Sequence, residues 1–193
     1  MSVHPCGAIQ PCPPSDDRQR AAFELFELGE PRYTIDKRAL KRRFLQLQRA
    51  VHPDANVAQG GEQAGARARE WSGWVNGAYR ALDGDLSRAE YLLSLENASV
   101  QEDDKASDPD LLMDILETRE ALEEVSSRAE IEPIRERNRA QMADTIAQLD
   151  SAFTSSPVDA ERAKALAIRL RYYANVEDVC REWQPGKRVE LSH

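Results

Sequence analysis

Disulfide-forming capacity is the first thing this 193-residue sequence lacks: its three cysteines, Cys6, Cys12 and Cys180, are odd in number and widely scattered. Such a set does not make the framework of a small secreted protein, and it points to a reducing compartment. No run approaches the ~20 consecutive apolar residues that a membrane span needs. The N-terminus has no charged-then-apolar secretory pattern, and no basic residue precedes Arg18, so the arginine-rich look of a mitochondrial presequence is missing as well. Positive charge is the minority sign overall. Twenty-six Lys and Arg face 34 Asp and Glu, and a net charge of -8 argues against general nucleic-acid binding as the main task. Aromatics are only 6% of the chain, and there is neither a strand-like alternation nor an internal repeat. What remains is Ala, Leu, Glu and Arg at helical spacing, so the expected class is all-α.

Residues 1–18 hold Pro5, Pro11, Pro13 and Pro14 with almost no apolar pattern and read as a flexible tail. A short helix is predicted over 19–28, stopped by Gly29 and Pro31. A second begins at Asp36, which can cap the free amides, while Ile35 and Leu40 have the spacing of a hydrophobic staple. Leu40, Phe44, Leu47 and Val51 then make one apolar stripe, and Pro53 disfavours helix at His52. Gly60, Gly61 and Gly65 mark a loop, after which a third helix with Trp71, Val75, Ala78 and Leu82 inward is predicted. Gly84 and Asp85 interrupt it before the helical piece LSRAEYLLSL. Residues 97–108, polar and acidic, read as a linker between the region 19–96 and the region 109–193. The second region starts with Asp108 and Pro109, an N-cap followed by proline at the first helical position. Three helices follow, roughly 109–128, 131–153 and 158–183, the last opened by Ser156 and Pro157. Loops this short favour an antiparallel three-helix bundle.

His52, Pro53 and Asp54 follow a basic helix. A tripeptide alone is a weak signal, and a proline that ends a helix among ordinary polar neighbours would explain it. Its context is stronger: between Thr34 and Val51 stand Lys37, Arg38, Lys41, Arg42, Arg43 and Arg49 against the single acid Asp36, a local charge of +5 in a chain of -8. Such segregation suggests an acidic partner. Pro53 fixes its own φ and restricts His52, so the corner presents one shape at little ordering cost, with Asp54 as a placed anion. A catalytic alternative would make His52 a general base oriented by Asp54, but no nucleophile or oxyanion donors accompany them. The order of short helix, capped basic helix, H-P-D corner and third helix resembles a J domain over about residues 20–95. That resemblance implies docking on a DnaK-type heat-shock chaperone through His52, Pro53, Asp54, Lys37, Arg38, Lys41, Arg42 and Arg49, and stimulation of its ATP hydrolysis, with no catalytic residue in this chain. Val51 stands where tyrosine is frequent in J domains, and Ala55 where lysine is.

The helix after Asp108 has more apolar surface than a bundle core requires. At about 100° per residue, Leu111, Ile115, Thr118, Leu122 and Val125 form a core stripe, while Leu112, Met113 and Leu116 point elsewhere. That second stripe either packs on another helix or on the first region, or serves as an exposed anchor, and Glu117, Glu120 and Glu124 border it as a charged rim would. The stretch LLMDILETREALEEV, with LSRAEYLLSLE before it and IRLRYY after it, resembles the HscB-type co-chaperones of iron-sulfur cluster biogenesis from about residue 20 to the end. The resemblance implies that an IscU-type scaffold protein binds at Leu112, Met113, Leu116, Glu117, Glu120, Glu124 and Tyr172. A J protein serving some other client is the nearest alternative. Animal members carry paired CxxC motifs ahead of the J domain. Here only His4, Cys6 and Cys12 are present, so a closed four-ligand metal site is not expected, and no cofactor is expected. Cys180 reads as packing. Family members act in the mitochondrial matrix or the bacterial cytoplasm; the proline-rich extension and the WQPGKRVELSH tail look fungal and favour mitochondria.

Overall fold

The computed structural model describes residues 21–51, 53–101, 104 and 108–184, with the backbone alone described for 53–61. All regular structure among them is helical: α1 (Ala22–Leu25), α2 (Lys37–Ala50), α3 (Pro53–Asp83), α4 (Asp85–Leu95), α5 (Pro109–Glu124), α6 (Arg128–Thr154) and α7 (Ala160–Glu182). The chain divides into two compact units between Leu95 and Glu96, each with its own apolar core.

In the first unit, α1, α2 and α4 each pack on the long α3. Helix α1 is shorter than the predicted 19–28 because it stops before its glycine. Glu27 takes the left-handed conformation (φ 55°), and its N–H donates to Glu24 O at 3.1 Å while Leu28 N–H donates to Phe23 O at 3.0 Å. These are the two bonds of a Schellman cap, built here on a residue other than glycine, which no residue preference would reveal. Helix α2 follows expectation: the Asp36 carboxylate accepts from Arg38 N–H at 2.8 Å and Ala39 N–H at 3.0 Å. Leu40, Leu47 and Val51 are buried, and Phe44 stacks on Tyr79 with ring centroids 4.1 Å apart. Phe26 meets the same Tyr79 edge-on, and Phe23 lies beside Tyr91.

The predicted loop at Gly60, Gly61 and Gly65 is instead helix, continuous from Pro53 to Asp83. Each glycine costs about 1 kcal/mol relative to alanine, but Ala55, Ala58, Ala64, Ala66 and Ala68 are the best helix formers and Pro53 occupies the tolerated first position. Gly65 and Ala68 are buried, so small residues there sit under the packing surface and do not mark a break.

In the second unit, α5, α6 and α7 form the expected bundle, with α6 and α7 sharing the most extensive packing. Asp108 caps α5 by accepting from Asp110 N–H at 3.0 Å, with Pro109 at the first position. Helix α6 starts earlier than predicted, at Arg128, because the Glu130 side chain reaches back to accept from Ser126 N–H at 2.8 Å. The start signal of α7 is a correction as well. Ser156 and Pro157 lie outside the helix, and Asp159 caps it, accepting from Arg162 N–H at 3.1 Å. One end of the core comprises Leu122, Ile131, Val176, Cys180 and Trp183, with Val125, Ile134 and Val179 against it. Cys180 is thus a packing residue, and burial pushes its thiol pKa up. Three residues of the segment read as a linker are fastened to α7: Asp104 pairs with Lys164 at 2.8 Å, Gln101 O accepts from Arg171 at 3.3 Å, and Asp108 pairs with Arg169.

Candidate functional site

The first candidate surface is the outward face of α2 and the start of α3. Arg38, Lys41, Arg42 and Arg49 are exposed. Lys37 is exposed too but reaches Asp85 at 3.1 Å, so part of its charge is committed within the unit. Arg43, the sixth base of the segment, turns away to Glu27 at 2.5 Å. The Asp36 carboxyl is held below the usual range chiefly by the Ala39 backbone N–H; burial opposes this, and the Arg38 N–H and the Arg42 and Arg38 charges add to the lowering. The one acid of the segment therefore stays ionised as a cap. Pro53 and Asp54 form the first turn of α3, where sequence reasoning expected a loop corner; His52 lies outside the described residues.

What holds this face in place was not foreseen. Arg88, on α4, is only 3% exposed. Its Nε donates to Tyr33 O at 2.6 Å and its Nη1 to Leu82 O at 2.6 Å. Nη2 pairs with Asp85, and the guanidinium lies 5.0 Å from the Tyr33 ring centroid. One cation thus ties together the segment leading into α2, the end of α3 and the start of α4. Because Asp85 also takes Lys37, the clamp extends to the first residue of the basic helix. The available signal was positional: on the α4 wheel Arg88 falls beside Ala89 and Leu92, both buried, and a charge on an inward face is retained only when paired.

The second candidate surface is on α5. Leu111, Thr118 and Leu122 face inward and are buried, with Ile115 and Val125 half-buried. Leu112, Met113 and Leu116 are 48%, 57% and 50% exposed, and Glu117, Glu120 and Glu124 beside them are exposed. Tyr172 on α7 is half-buried, while its neighbour Tyr173 is buried. The alternative that the second stripe is bundle core does not hold, since three adjacent large side chains keep about half their surface in water.

Between the two stripes sits Asp114, which sequence reasoning passed over. Its carboxylate accepts from Arg137 Nη2 at 2.7 Å, Gln141 Nε2 at 2.6 Å and the Tyr173 hydroxyl at 3.1 Å. One acid on α5 is therefore held by both other helices, which fixes the rotation of α5 about its axis and with it the outward aim of Leu112, Met113 and Leu116. The Tyr173 hydroxyl has its pKa pushed up to about 12, by burial first and then by the Asp114 charge. It remains a donor at all ordinary pH. Deeper in, the buried Asn138 side chain donates to Tyr173 O at 3.0 Å. On the adjoining face Glu177 takes Arg135 and Arg139, each at 2.9 Å.

No group of three His, Cys, Asp or Glu side chains with metal-binding geometry occurs among the described residues. His4, Cys6 and Cys12 lie outside them.

A family model described as the HSCB C-terminal oligomerisation domain matches residues 107–181. The mitochondrial J-type co-chaperone JAC1 of Saccharomyces cerevisiae is 30% identical over 181 residues, covering 89% of this chain and 92% of the yeast protein. The iron-sulfur cluster co-chaperone protein HscB of Mus musculus is 33% identical over 174 residues, covering 90% of this chain and 71% of the mouse protein. The crystal structure of human co-chaperone protein HscB has a TM-score of 0.82 at 31% identity, covering 93% of this chain and 87% of the human one.

Proposed function

The chain belongs to the HscB family of iron-sulfur cluster co-chaperones, and on that premise we propose that it is an adaptor between a DnaK-type chaperone and an IscU-type scaffold protein. The first unit offers Arg38, Lys41, Arg42 and Arg49 on α2, with Lys37 at its start and His52, Pro53 and Asp54 at the following turn, to the chaperone's ATPase domain. The second offers Leu112, Met113, Leu116 and Tyr172, rimmed by Glu117, Glu120 and Glu124, to the scaffold. The chaperone performs the chemistry; this chain stimulates its ATP hydrolysis and performs no turnover of its own. The rim cations raise the association rate and make it sensitive to salt, while the H-P-D turn controls the productive state. Carrying both surfaces on one polypeptide turns the second binding event into an intramolecular one and raises the scaffold's concentration at the chaperone. The mitochondrial matrix is the compartment that fits best, in keeping with the yeast relative's name.

One observation carries the reading: three adjacent large apolar side chains stand half in water on a helix whose opposite face is core. A contiguous set of exposed apolar side chains with an acidic border marks a binding face. The test is ATP hydrolysis by a DnaK-type chaperone, measured with this protein alone, with an IscU-type scaffold alone and with both. The expected result is stimulation by this protein and a further, more than additive increase with the scaffold. Stimulation that ignores the scaffold would assign another client, and turnover without any chaperone would assign an enzyme.

A further inference from the structure

Two polar contacts between α5 and α7 bracket the apolar face of the second unit. The first is the ion pair of Asp108 and Arg169, both half-buried. The second is the bond that the Tyr173 hydroxyl donates to Asp114 at 3.1 Å. Their partners stand 61 and 59 residues apart in the chain. Leu112 and Tyr172, at the intermediate separation of 60, therefore lie at one height between them on two helices that run the same way. At about 100° per residue, Leu112 is about 40° from Asp108 on α5 and Tyr172 about 60° from Arg169 on α7, each about one turn further along. The ion pair thus sits at the foot of both side chains. Asp108 has two tasks at once: one carboxylate oxygen caps α5, accepting from Asp110 N–H at 3.0 Å, while the other takes Arg169. Its own carbonyl accepts from Leu112 N–H at 3.1 Å. Arg169 in turn holds the Asp108 carboxyl below its usual range, which keeps the pair charged at neutral pH. Helix α5 packs less closely on its neighbours than α6 and α7 pack on each other. Apolar contacts are non-directional, so polar contacts of fixed geometry set the height and roll of α5 beside Tyr172.

We infer that Asp108 and Arg169 are positioning residues that join Tyr172 to the apolar stripe of α5 and make the two a single docking face for the scaffold protein. This rests on the scaffold reading above and adds how the face is assembled from two helices. Neither residue has to touch the partner. A Tyr172 ring held level with Leu112 offers the scaffold one preorganised apolar surface. A ring on a helix that slides or rolls against α5 must be ordered during binding, and that cost lowers affinity. The ion pair is half-buried and of modest strength, which sets the size of the effect.

The experiment measures the affinity of the full chain for an IscU-type scaffold in Arg169→Ala and Asp108→Ser, each alone and combined with Tyr172→Ala. Asp108→Ser keeps an N-cap for α5 but offers Arg169 no charge. Each should weaken scaffold binding about fivefold, with stimulation of the chaperone by the protein alone unchanged, and Arg169→Lys should recover most of the loss. Combined with Tyr172→Ala, either variant should cost less than the product of the separate losses, by about threefold or more, because the ring it positions is already gone. Combined with Glu124→Gln, at the far end of α5, the losses should simply multiply. Wild-type affinity in both variants, beside a wild type that binds, would overturn the positioning role and leave the scaffold reading standing. Losses that also multiply with that of Tyr172→Ala would overturn it too, since the pair would then act without the ring. A wild type that does not bind the scaffold overturns both readings. If Arg169→Ala lowers the helix content, Asp108→Ser with its retained cap decides the outcome.

Discussion

The two units solve the problem of presenting a surface in opposite ways. The first offers charge on α2 and holds it with one buried cation, Arg88, whose guanidinium takes the Tyr33, Leu82 and Gly84 carbonyls and Asp85. The second offers apolar surface on α5 and holds it with a distributed set of polar side chains, Asp114 with Arg137, Gln141 and Tyr173, and Glu177 with Arg135 and Arg139. A concentrated clamp fails all at once when its centre is removed, whereas a distributed one loses its members in parts.

The largest effect that would test this contrast is on stability. Arg88→Ala leaves Tyr33 and Leu82 carbonyls without a buried donor, and a loss of about 3–5 kcal/mol is expected in the first unit alone. Denaturant unfolding followed by amide exchange should show the second unit unaffected; an equal loss in both units would mean that they do not unfold independently. Next comes the apolar surface. Combined Leu112→Ala, Met113→Ala, Leu116→Ala and Tyr172→Ala should weaken scaffold binding by more than about a hundredfold while helix content and stimulation of the chaperone persist, and collapse of the bundle would show that these side chains belong to the core after all. For the first surface, Asp54→Asn should reduce ATPase stimulation at least about tenfold with scaffold affinity unchanged, and retained stimulation would remove the H-P-D turn from the mechanism. A smaller effect is expected from Tyr173→Phe, which deletes one of the three donors to Asp114 and should cost the second unit about 1 kcal/mol by thermal unfolding.

The last prediction is one of direction. In the second unit the carboxyls of Asp104, Asp108 and Glu130 are held below their usual range, by Lys164, by Arg169 and by the Ser126 backbone N–H respectively. Glu177 joins them, since burial pushes its pKa up but Arg135 and Arg139 bring it down further. In the first unit the Asp36 carboxyl is lowered, mainly by the Ala39 N–H. A carboxyl lowered on folding adds stability above its unfolded pKa, near 4, and loses it as pH falls through the folded value. Acidification from pH 6 toward pH 3 should therefore weaken the second unit more than the first, as read by amide exchange in each. A greater loss in the first unit would break the link between these carboxyls and the stability of the second unit.

Much of the fold was legible because it is written in local chemistry. The Asp36 and Asp108 caps, Pro109, the α2 stripe and the split of α5 into an inward and an outward face all follow from 3.6-residue periodicity and the unpaired amides at helix starts. Readings failed where a distant or unusual group decided. Helix α1 ends on Glu27 in the left-handed conformation, α6 begins where Glu130 reaches back, α7 waits for Asp159, and α3 runs through its glycines because neighbouring alanines and packing outweigh them. Of the candidate surfaces, the cations and the apolar stripe were visible in the residue string, while their holding devices, Arg88 and Asp114, were not. Asp114 looks like an ordinary charged residue until Arg137, Gln141 and Tyr173 are placed around it, and Arg88, though on the buried side of α4, until Tyr33 is.

The amino-acid string alone therefore determined the helical class, the two-part organisation, the basic helix beside His52, Pro53 and Asp54, and the surplus apolar face of α5. Only the folded chain decided that Lys37 and Arg43 spend charge inside the first unit and that Leu112, Met113 and Leu116 stay in water. The reason is range: capping and periodicity act within a turn or two of helix, but whether a side chain is buried, paired or free depends on which remote neighbours reach it, and those are set by packing.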